Sequence, residues 1–378
     1  MSSSQPARVE PQPDPVENPS ASGVAQRDEP GAGWAATDRP LRELHDVLLL
    51  DLDGVVYVGE HAVRRAPAVL ADARAAGVRL AFVTNNASRT SASVAEHLSR
   101  VGVVAKAEDV VTSAQAAARM LAQQLPQGSR VLVVGGAGLL EAVTEVGLVP
   151  VGSADDQPAA VVQGFAPEVG WSMLVEACVA VRAGLPWVAT NPDVTLPTAR
   201  GLAPGNGALV DVVRRTTGAE PTVAGKPFRP ILDEAVRRTG ARRALLVGDR
   251  LDTDIQGANT AGLPSLLVLT GITGVHALLG APASMRPTYL GAGIEGIEQA
   301  QPAVALQEGW WRCGQMRARL WHGRLELEPS APSDEGTGQA LDALRVACAA
   351  FWSGGTDPQL PEAARALGPW SAPHGWDR

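Results

Sequence analysis

The stretch VLLLDLDGVVYVG, residues 47–59, sets four consecutive aliphatic side chains directly before two carboxylates and a glycine. An unbroken aliphatic run of this length reads as a strand buried on both faces, the form that strands take in parallel sheets. Its carboxyl end delivers Asp51 and Asp53, and that edge of an open α/β sheet is where ligands bind. On extended backbone the two carboxylates would share one side, about 6–7 Å apart along the chain. One could then attack a reacting centre while the other moves a proton, with Gly54 as the hinge of the turn that follows.

The same punctuation recurs along the chain. LAFV at 80–83 leads into TNNAS at 84–88, ALLV at 244–247 leads into GDRLDTDI at 248–255, and SLLVL at 265–269 adds a further run. Ala-rich amphipathic stretches intervene, which is the signature of βα units around a parallel sheet. A second set of the same kind lies between Thr112 and Leu202, with VLVV at 131–134, AAVV at 159–162 and WVAT at 187–190. It reads either as a continuation of one sheet or as an inserted α/β domain.

Each strand end also carries chemistry. Thr84, Asn85 and Asn86 offer a hydroxyl and two amides suited to donate to phosphoryl oxygens; the same residues could cap the next helix. AGKP at 224–227 fixes Lys226 between Gly225 and Pro227, a tight setting that aims an ammonium at a phosphate. Asp249, Asp252 and Asp254 share one loop entering a helix, and Asp252 suits the helix cap. Asp249 and Asp254 converging with Asp51 and Asp53 would make a hard-oxygen site of the kind Mg²⁺ prefers.

Composition bounds the rest. Among 378 residues, 45% are hydrophobic and 19% charged, as expected for a globular chain with a real core. A net charge of −8 repels phosphate backbones and anionic lipid, so no nucleic-acid or membrane partner is expected, and a small anionic substrate needs local positive groups. The three cysteines, Cys178, Cys313 and Cys348, form no CxxC pair, and no apolar run approaches membrane length. A cytoplasmic location is the expectation. Residues 1–44 are Pro-rich and read as a disordered tail. Six of the nine tryptophans fall after residue 309, marking 299–378 as a small appended module. Within it, residues 310–328 alternate like a hairpin turning at His322 and Gly323, and a helix is expected near 339–351.

The motifs DLDGV, TNN, GKP and GDRLDTD together resemble the haloacid dehalogenase superfamily, and in particular its class IIA capped phosphatases, the p-nitrophenyl phosphatase and phosphoglycolate phosphatase group. The resemblance spans residues 46–298 and includes the cap stretches VVTSAQAAARML, VLVVGGAGL, VVQGF and ATNPDVTLPT. With its Pro-rich front and Trp-rich extension, the chain is most similar to the actinobacterial glycerol 3-phosphate phosphatases, whose extra module is acetyltransferase-like. The resemblance implies an α/β fold: a Rossmann-like parallel core at 45–112 and 203–298, a C2-type α/β cap inserted at 113–202, and the module at 299–378.

It further implies that Asp51 is the nucleophile forming an aspartyl-phosphate and that Asp53 is the acid and later the base. Asp51, the main-chain carbonyl of Asp53 and Asp249 would hold Mg²⁺, with Asp254 supporting them. Thr84, Asn85, Asn86 and Lys226 would bind the transferring phosphoryl group, and Leu196 would approach the leaving group. An uncharged Leu196 suits glycerol 3-phosphate better than phosphoglycolate. Pyridoxal phosphate and broad p-nitrophenyl phosphatase activity are the neighbouring alternatives, and a catalytically silent metabolite sensor is the alternative of a different class. Dehalogenation is disfavoured because it needs neither Mg²⁺ nor Asp53. A homodimer through the cap is left open. VVGGAGLLEAV at 133–143 lacks GxGxxG spacing, so no nucleotide cofactor is expected there.

Overall fold

The strand Val47–Leu50 lies inside a six-stranded sheet whose order is Tyr289–Gly291, Ser265–Val268, Ala244–Gly248, Val47–Leu50, Arg79–Thr84 and Val110–Thr112. Every pairing is parallel, and Leu50 lies opposite both Val247 and Phe82. All four residues of the central strand are buried, as an aliphatic run sandwiched between two helical layers must be. This computed structural model describes residues 33–198, 200–329, 337–354 and 367. From Val47–Leu50 the chain first builds outward to one side, through 79–84 and 110–112, and later to the other, through 244–248, 265–268 and 289–291. The reversal puts the carboxyl ends of Val47–Leu50 and Ala244–Gly248 at a switch point, where neighbouring loops diverge and leave a crevice.

A second, five-stranded parallel sheet has the order Thr222–Val223, Trp187–Ala189, Ala160–Gln163, Arg130–Val134 and Val149–Val151. Its last strand lies beyond residue 202, the expected limit of the inserted segment. The helix Asn206–Thr217 buries Val210 and Val213 in the same cluster as Trp187 and Ala189, which carries the chain back to add Thr222–Val223 at the edge. One apolar cluster joins the two sheets: Leu49 and Val83 from the first and Val131 and Val162 from the second pack around Ala117 and Leu121 of the helix Ser113–Gln124. That helix is set by a reciprocal cap, in which Gln115 N donates to Thr112 Oγ1 and Thr112 N to Gln115 Oε1, each at 3.2 Å.

The carboxyl-terminal residues form a four-stranded antiparallel sheet, Ala305–Gln307, Trp310–Cys313, Met316–Trp321 and Arg324–Pro329, covered by the helix Thr337–Gly354. The expected turn is present, with His322 and Gly323 both at positive φ. Trp311 and Trp352 are core residues, but Trp310 and Trp321 are not. Trp310 lies beneath the guanidinium groups of Arg317 and Arg319 on the sheet's other face, because alternate residues of an antiparallel strand point to opposite sides. Trp370 and Trp376 lie outside the described residues.

The expectation of a tail through residue 44 fails from residue 33 onward. Leu41 is fully buried, the Trp34 ring packs against Trp352 at 4.8 Å, and Thr37 N donates to Gln301 O at 2.9 Å. Two apolar side chains and a few backbone bonds suffice to order a dozen residues that composition alone marks as tail. Residues 1–32 lie outside the description.

Candidate active site

At the switch point Asp51 leaves the central strand with its backbone N–H bonded to Val247 O at 2.9 Å. From Leu52 onward the chain turns back on itself, with Val56 N and Tyr57 N both donating to Leu52 O. Asp51 and Asp53 therefore lie past the strand, and the two-residue alternation of extended backbone does not relate them. Asp53 instead stands on the open side of the turn.

Lys226 organises the interior. Its ammonium donates to Asp51 Oδ1, to Asp254 Oδ1 at 2.7 Å and to Val83 O at 3.1 Å, using all three protons. Its side chain is only 3% exposed, yet the two carboxylates raise its pKa against the pull of burial, so it stays charged. Oxygens of Asp51, Asp249 and Asp254 lie within 4.8 Å of one another. Three carboxylates against one ammonium leave the cluster short of positive charge. Burial, opposed by Lys226 and reinforced by Asp254 and Asp249, pushes Asp51 well above the ordinary carboxylate range. Asp249 is pushed up to about 7, by burial first and Asp254 second. Asp249 Oδ2 accepts from Ile272 N at 2.7 Å, while its buried Oδ1 has no hydrogen-bond partner.

Two glycines make this crowding possible. Gly54 has φ +81°, and a Cβ there would fall 2.6 Å from Asp249 Oδ2. A Cβ on Gly248 would fall 2.3 Å from Asp254 Cβ. Asp254 sits in a π-helical turn, Leu251–Ile255, a wide coil common at functional sites. Its second oxygen accepts from Arg250 N at 3.1 Å. Asp252 points the other way and pairs with Arg250 through two bonds of 3.0 and 2.8 Å, so its main partner is a side chain.

The TNN loop is used differently from the expectation. Thr84 is buried at the strand end, and its hydroxyl oxygen accepts from Asn86 N at 3.1 Å, which leaves the hydroxyl proton to donate elsewhere. The Asn85 side chain does not offer its amide to a ligand. Its Oδ1 accepts from Lys226 N at 2.8 Å, and its Nδ2 donates to Lys226 O at 3.0 Å and to Asp193 Oδ2 at 3.1 Å. Both amide protons are thus committed, and Asn85 grips the main chain of Lys226. Asn86 Oδ1 accepts from Ser88 N, Ser88 Oγ and Arg89 N, closing its own loop.

Leu196 lies half-buried in the hairpin Thr195–Thr198 with Gly201–Pro204, opposite Ala203. The structure thus brings Asp51, Asp249, Asp254, Lys226 and Asn85 together, places Thr84 at the adjoining strand end, and leaves Leu196 on a separate hairpin. Asp53 has its pKa raised by burial against the attraction of Arg89, His97 and Lys226. Arg89, Arg250 and Asp193 were missed by motif reading although each stands in or beside a quoted stretch. Their signal was adjacency: Arg89 follows TNNAS, Arg250 follows Asp249, and Asp193 follows Asn191-Pro192.

Comparison with known proteins agrees with this geometry. A haloacid dehalogenase-like hydrolase family model matches residues 48–149, and a second, HAD-hydrolase-like model matches residues 223–296. D-glycerol 3-phosphate phosphatase of Mycobacterium tuberculosis is 51% identical over 274 residues, 72% of this chain and 77% of that protein. The crystal structure of glycerol phosphate phosphatase from the same organism in complex with magnesium superposes with a TM-score of 0.77 at 44% identity, covering 88% of this chain and 99% of that one. The p-nitrophenyl phosphatase of Archaeoglobus fulgidus superposes at 0.61 with 27% identity, covering 67% of this chain and 97% of the other. The parallel core with a second α/β sheet as its cap agrees with these relatives, and the chain belongs to the haloacid dehalogenase-like hydrolases, in their phosphatase branch.

Proposed function

We propose that this phosphatase hydrolyses glycerol 3-phosphate to glycerol and phosphate through an aspartyl-phosphate on Asp51. The observation that carries the chemistry is the excess of carboxylate at the switch point: an anionic nucleophile held against one buried ammonium, with the Asp249 oxygen left unbonded. Mg²⁺ fits that donor set, which is all hard oxygen. Asp51, Asp249 and the main-chain carbonyl of Asp53 would hold it. Asp254 lies behind them, because Lys226 and Arg250 N already take its oxygens. When bound, the cation screens the repulsion between Asp51 and an incoming phosphoryl group.

The chain's own residues do the rest. Asp51 attacks phosphorus in line with the leaving alkoxide, and splitting the displacement in two lets one pocket serve both halves. Asp53, whose pKa is raised above the ordinary carboxylate value, gives a proton to that alkoxide and later takes one from the attacking water. Lys226 neutralises the phosphoryl charge beside Asp51 and would bond a phosphoryl oxygen only by exchanging its bond to Asp51 Oδ1, while the Thr84 hydroxyl donates to another, and positioning and neutralisation supply most of the rate. Asn85 serves by holding Lys226, and Asn86 by shaping the 86–89 turn. Arg89 and Arg250 add positive charge beside Asp53 and Asp193, which a protein of net charge −8 needs in order to attract an anion.

The substrate rests on the similarity to the mycobacterial enzyme. Phosphate release measured side by side from glycerol 3-phosphate, phosphoglycolate, pyridoxal phosphate and p-nitrophenyl phosphate tests it. Glycerol 3-phosphate is expected to give the highest kcat/KM, with all turnover abolished in Asp51→Asn. Equal turnover of phosphoglycolate would overturn the substrate, and unchanged turnover in Asp51→Asn would overturn the mechanism.

A further inference from the structure

Asn85 is held by the cap on two sides. Asn191 Nδ2 donates to Asn85 O at 2.7 Å, and Asp193 Oδ2 accepts from Asn85 Nδ2 at 3.1 Å. The same Asn85 side chain holds both polar main-chain atoms of Lys226, at 2.8 and 3.0 Å. Behind this contact the loop is anchored. Asp193 N donates to Asn191 Oδ1 at 3.2 Å, Gly207 N donates to Asp193 O, and Asn206 Nδ2 donates to Asn191 O, both at 2.8 Å. A Cβ on Gly225 would fall 2.5 Å from Asn85 Oδ1 and 2.6 Å from Thr190 O, so the three segments meet with no space between them. An unbroken series of hydrogen bonds therefore runs from the cap helix Asn206–Thr217 through Asp193 and Asn85 to Lys226, and from its ammonium to Asp51 and Asp254.

We infer that Asp193 is a positioning residue: by fixing the Asn85 amide it sets the main chain of Lys226, and so couples the seating of the cap to the aim of the phosphate-binding ammonium. The inference rests on the proposed role of Lys226. Asp193 reaches Lys226 only through Asn85. An amide free to rotate by half a turn would present oxygen where Lys226 O needs a donor; the Asp193 carboxylate forbids that flip, because it too demands the NH₂ end. An asparagine at 193 can still accept through its carbonyl oxygen, whereas alanine cannot.

The test compares Asp193→Ala and Asp193→Asn, alone and combined with Asn85→Ala. Against p-nitrophenyl phosphate, Asp193→Ala is expected to lower kcat about tenfold with KM changed less, the signature of a misplaced group; Asp193→Asn should recover to within about threefold of the unaltered chain. In the Asn85→Ala background, Asp193→Ala should cost nothing further, since the two act as one unit. Hydrogen exchange over residues 222–228, which contain the Lys226 N–H, should quicken at least about threefold in Asp193→Ala. Additive losses in the double variant, or exchange unaltered by Asp193→Ala, would overturn the inference. If the unaltered chain released no phosphate, the proposed function would fall, and the exchange measurement would still decide the coupling.

Discussion

Lys226 and Asp254 bond at 2.7 Å with side chains only 3% and 1% exposed, which makes this the most buried ion pair among the described residues. A buried pair adds little net stability over an apolar pair, but breaking one strands the remaining charge at about 3–5 kcal/mol. In Lys226→Met the acidic cluster of Asp51, Asp249 and Asp254 loses the ammonium bonded to Asp51 and Asp254. Without added metal the variant is expected to melt far below the unaltered protein at neutral pH and to recover part of the gap in mild acid, where the carboxylates protonate. Phosphate release should vanish throughout. A melting curve indifferent to the substitution would show that the carboxylates do not depend on Lys226.

Asp249 gives the pH dependence its sign. In the unfolded chain its proton leaves near the ordinary value of 3.8; in the metal-free fold it is held up to about 7. Between those values the folded state keeps a proton that the unfolded state has lost, so this group's contribution to stability falls as pH rises through the window. A divalent cation binds the ionised form and displaces that proton. The rise in melting temperature produced by Mg²⁺ over chelator is therefore expected to be larger at about pH 7.5 than at about pH 5.5. Asp249→Asn should lose most of the rise at both. An increment independent of pH would remove Asp249 from the metal site.

Gly54 is expected to tolerate no side chain. Alanine would place Cβ 2.6 Å from Asp249 Oδ2 and 2.9 Å from Gly271 Cα at a φ of +81°. The left-handed backbone alone costs about 1–2 kcal/mol, and the clash can be relieved only by moving Asp249 or the 269–273 loop. Gly54→Ala should fold with reduced stability, bind Mg²⁺ more weakly and lose at least about tenfold in kcat. Full activity in a stable Gly54→Ala protein would show that the carboxylate can move without consequence.

The strands were legible wherever they were aliphatic and ended in Asp, Thr or Gly: 47–50, 80–83, 131–134 and 244–247 all lie within strands, and the run 265–269 does so through Val268. The edge strands Val110–Thr112, Val149–Val151 and Tyr289–Gly291 were not, because three residues leave too short a pattern to stand apart from a loop. Asp51, Lys226, Asp249 and Asp254 could be singled out because carboxylate and lysine at strand ends have few structural uses. Asn85 could be found but its direction could not. Whether an amide faces a ligand or a neighbouring main chain depends on contacts with residues 193 and 226, more than a hundred positions away. The packing of Trp34 was invisible for the same reason, since its partner is residue 352.

Arg345 fastens the carboxyl-terminal module to the core. Its side chain is 6% exposed, and its guanidinium donates to Leu290 O at 2.7 Å, Gln301 Oε1 at 3.1 Å and Asp342 Oδ1 at 2.9 Å. Trp34 Nε1 donates to Arg345 O at 3.0 Å, so the amino-terminal segment is tied to the same point. Around it one apolar cluster takes Leu251, Ile255 and Leu278 from the core together with Met316, Leu344 and Phe351 from the module. Ending the chain at residue 298 would therefore bare a core rather than release an independent unit, and the truncated protein is expected to aggregate. Arg345→Ala is the gentler probe. Removing one partner of a buried charged network costs about 3 kcal/mol, which lowers the melting temperature by roughly 4 °C in a chain of this size. The strand carrying Leu290 lies three strands from Val47–Leu50, about 14 Å at ordinary sheet spacing. The kcat of Arg345→Ala at a temperature where it stays folded should therefore match the unaltered enzyme within about twofold. A large fall in kcat without a fall in melting temperature would mean that the module acts on turnover directly.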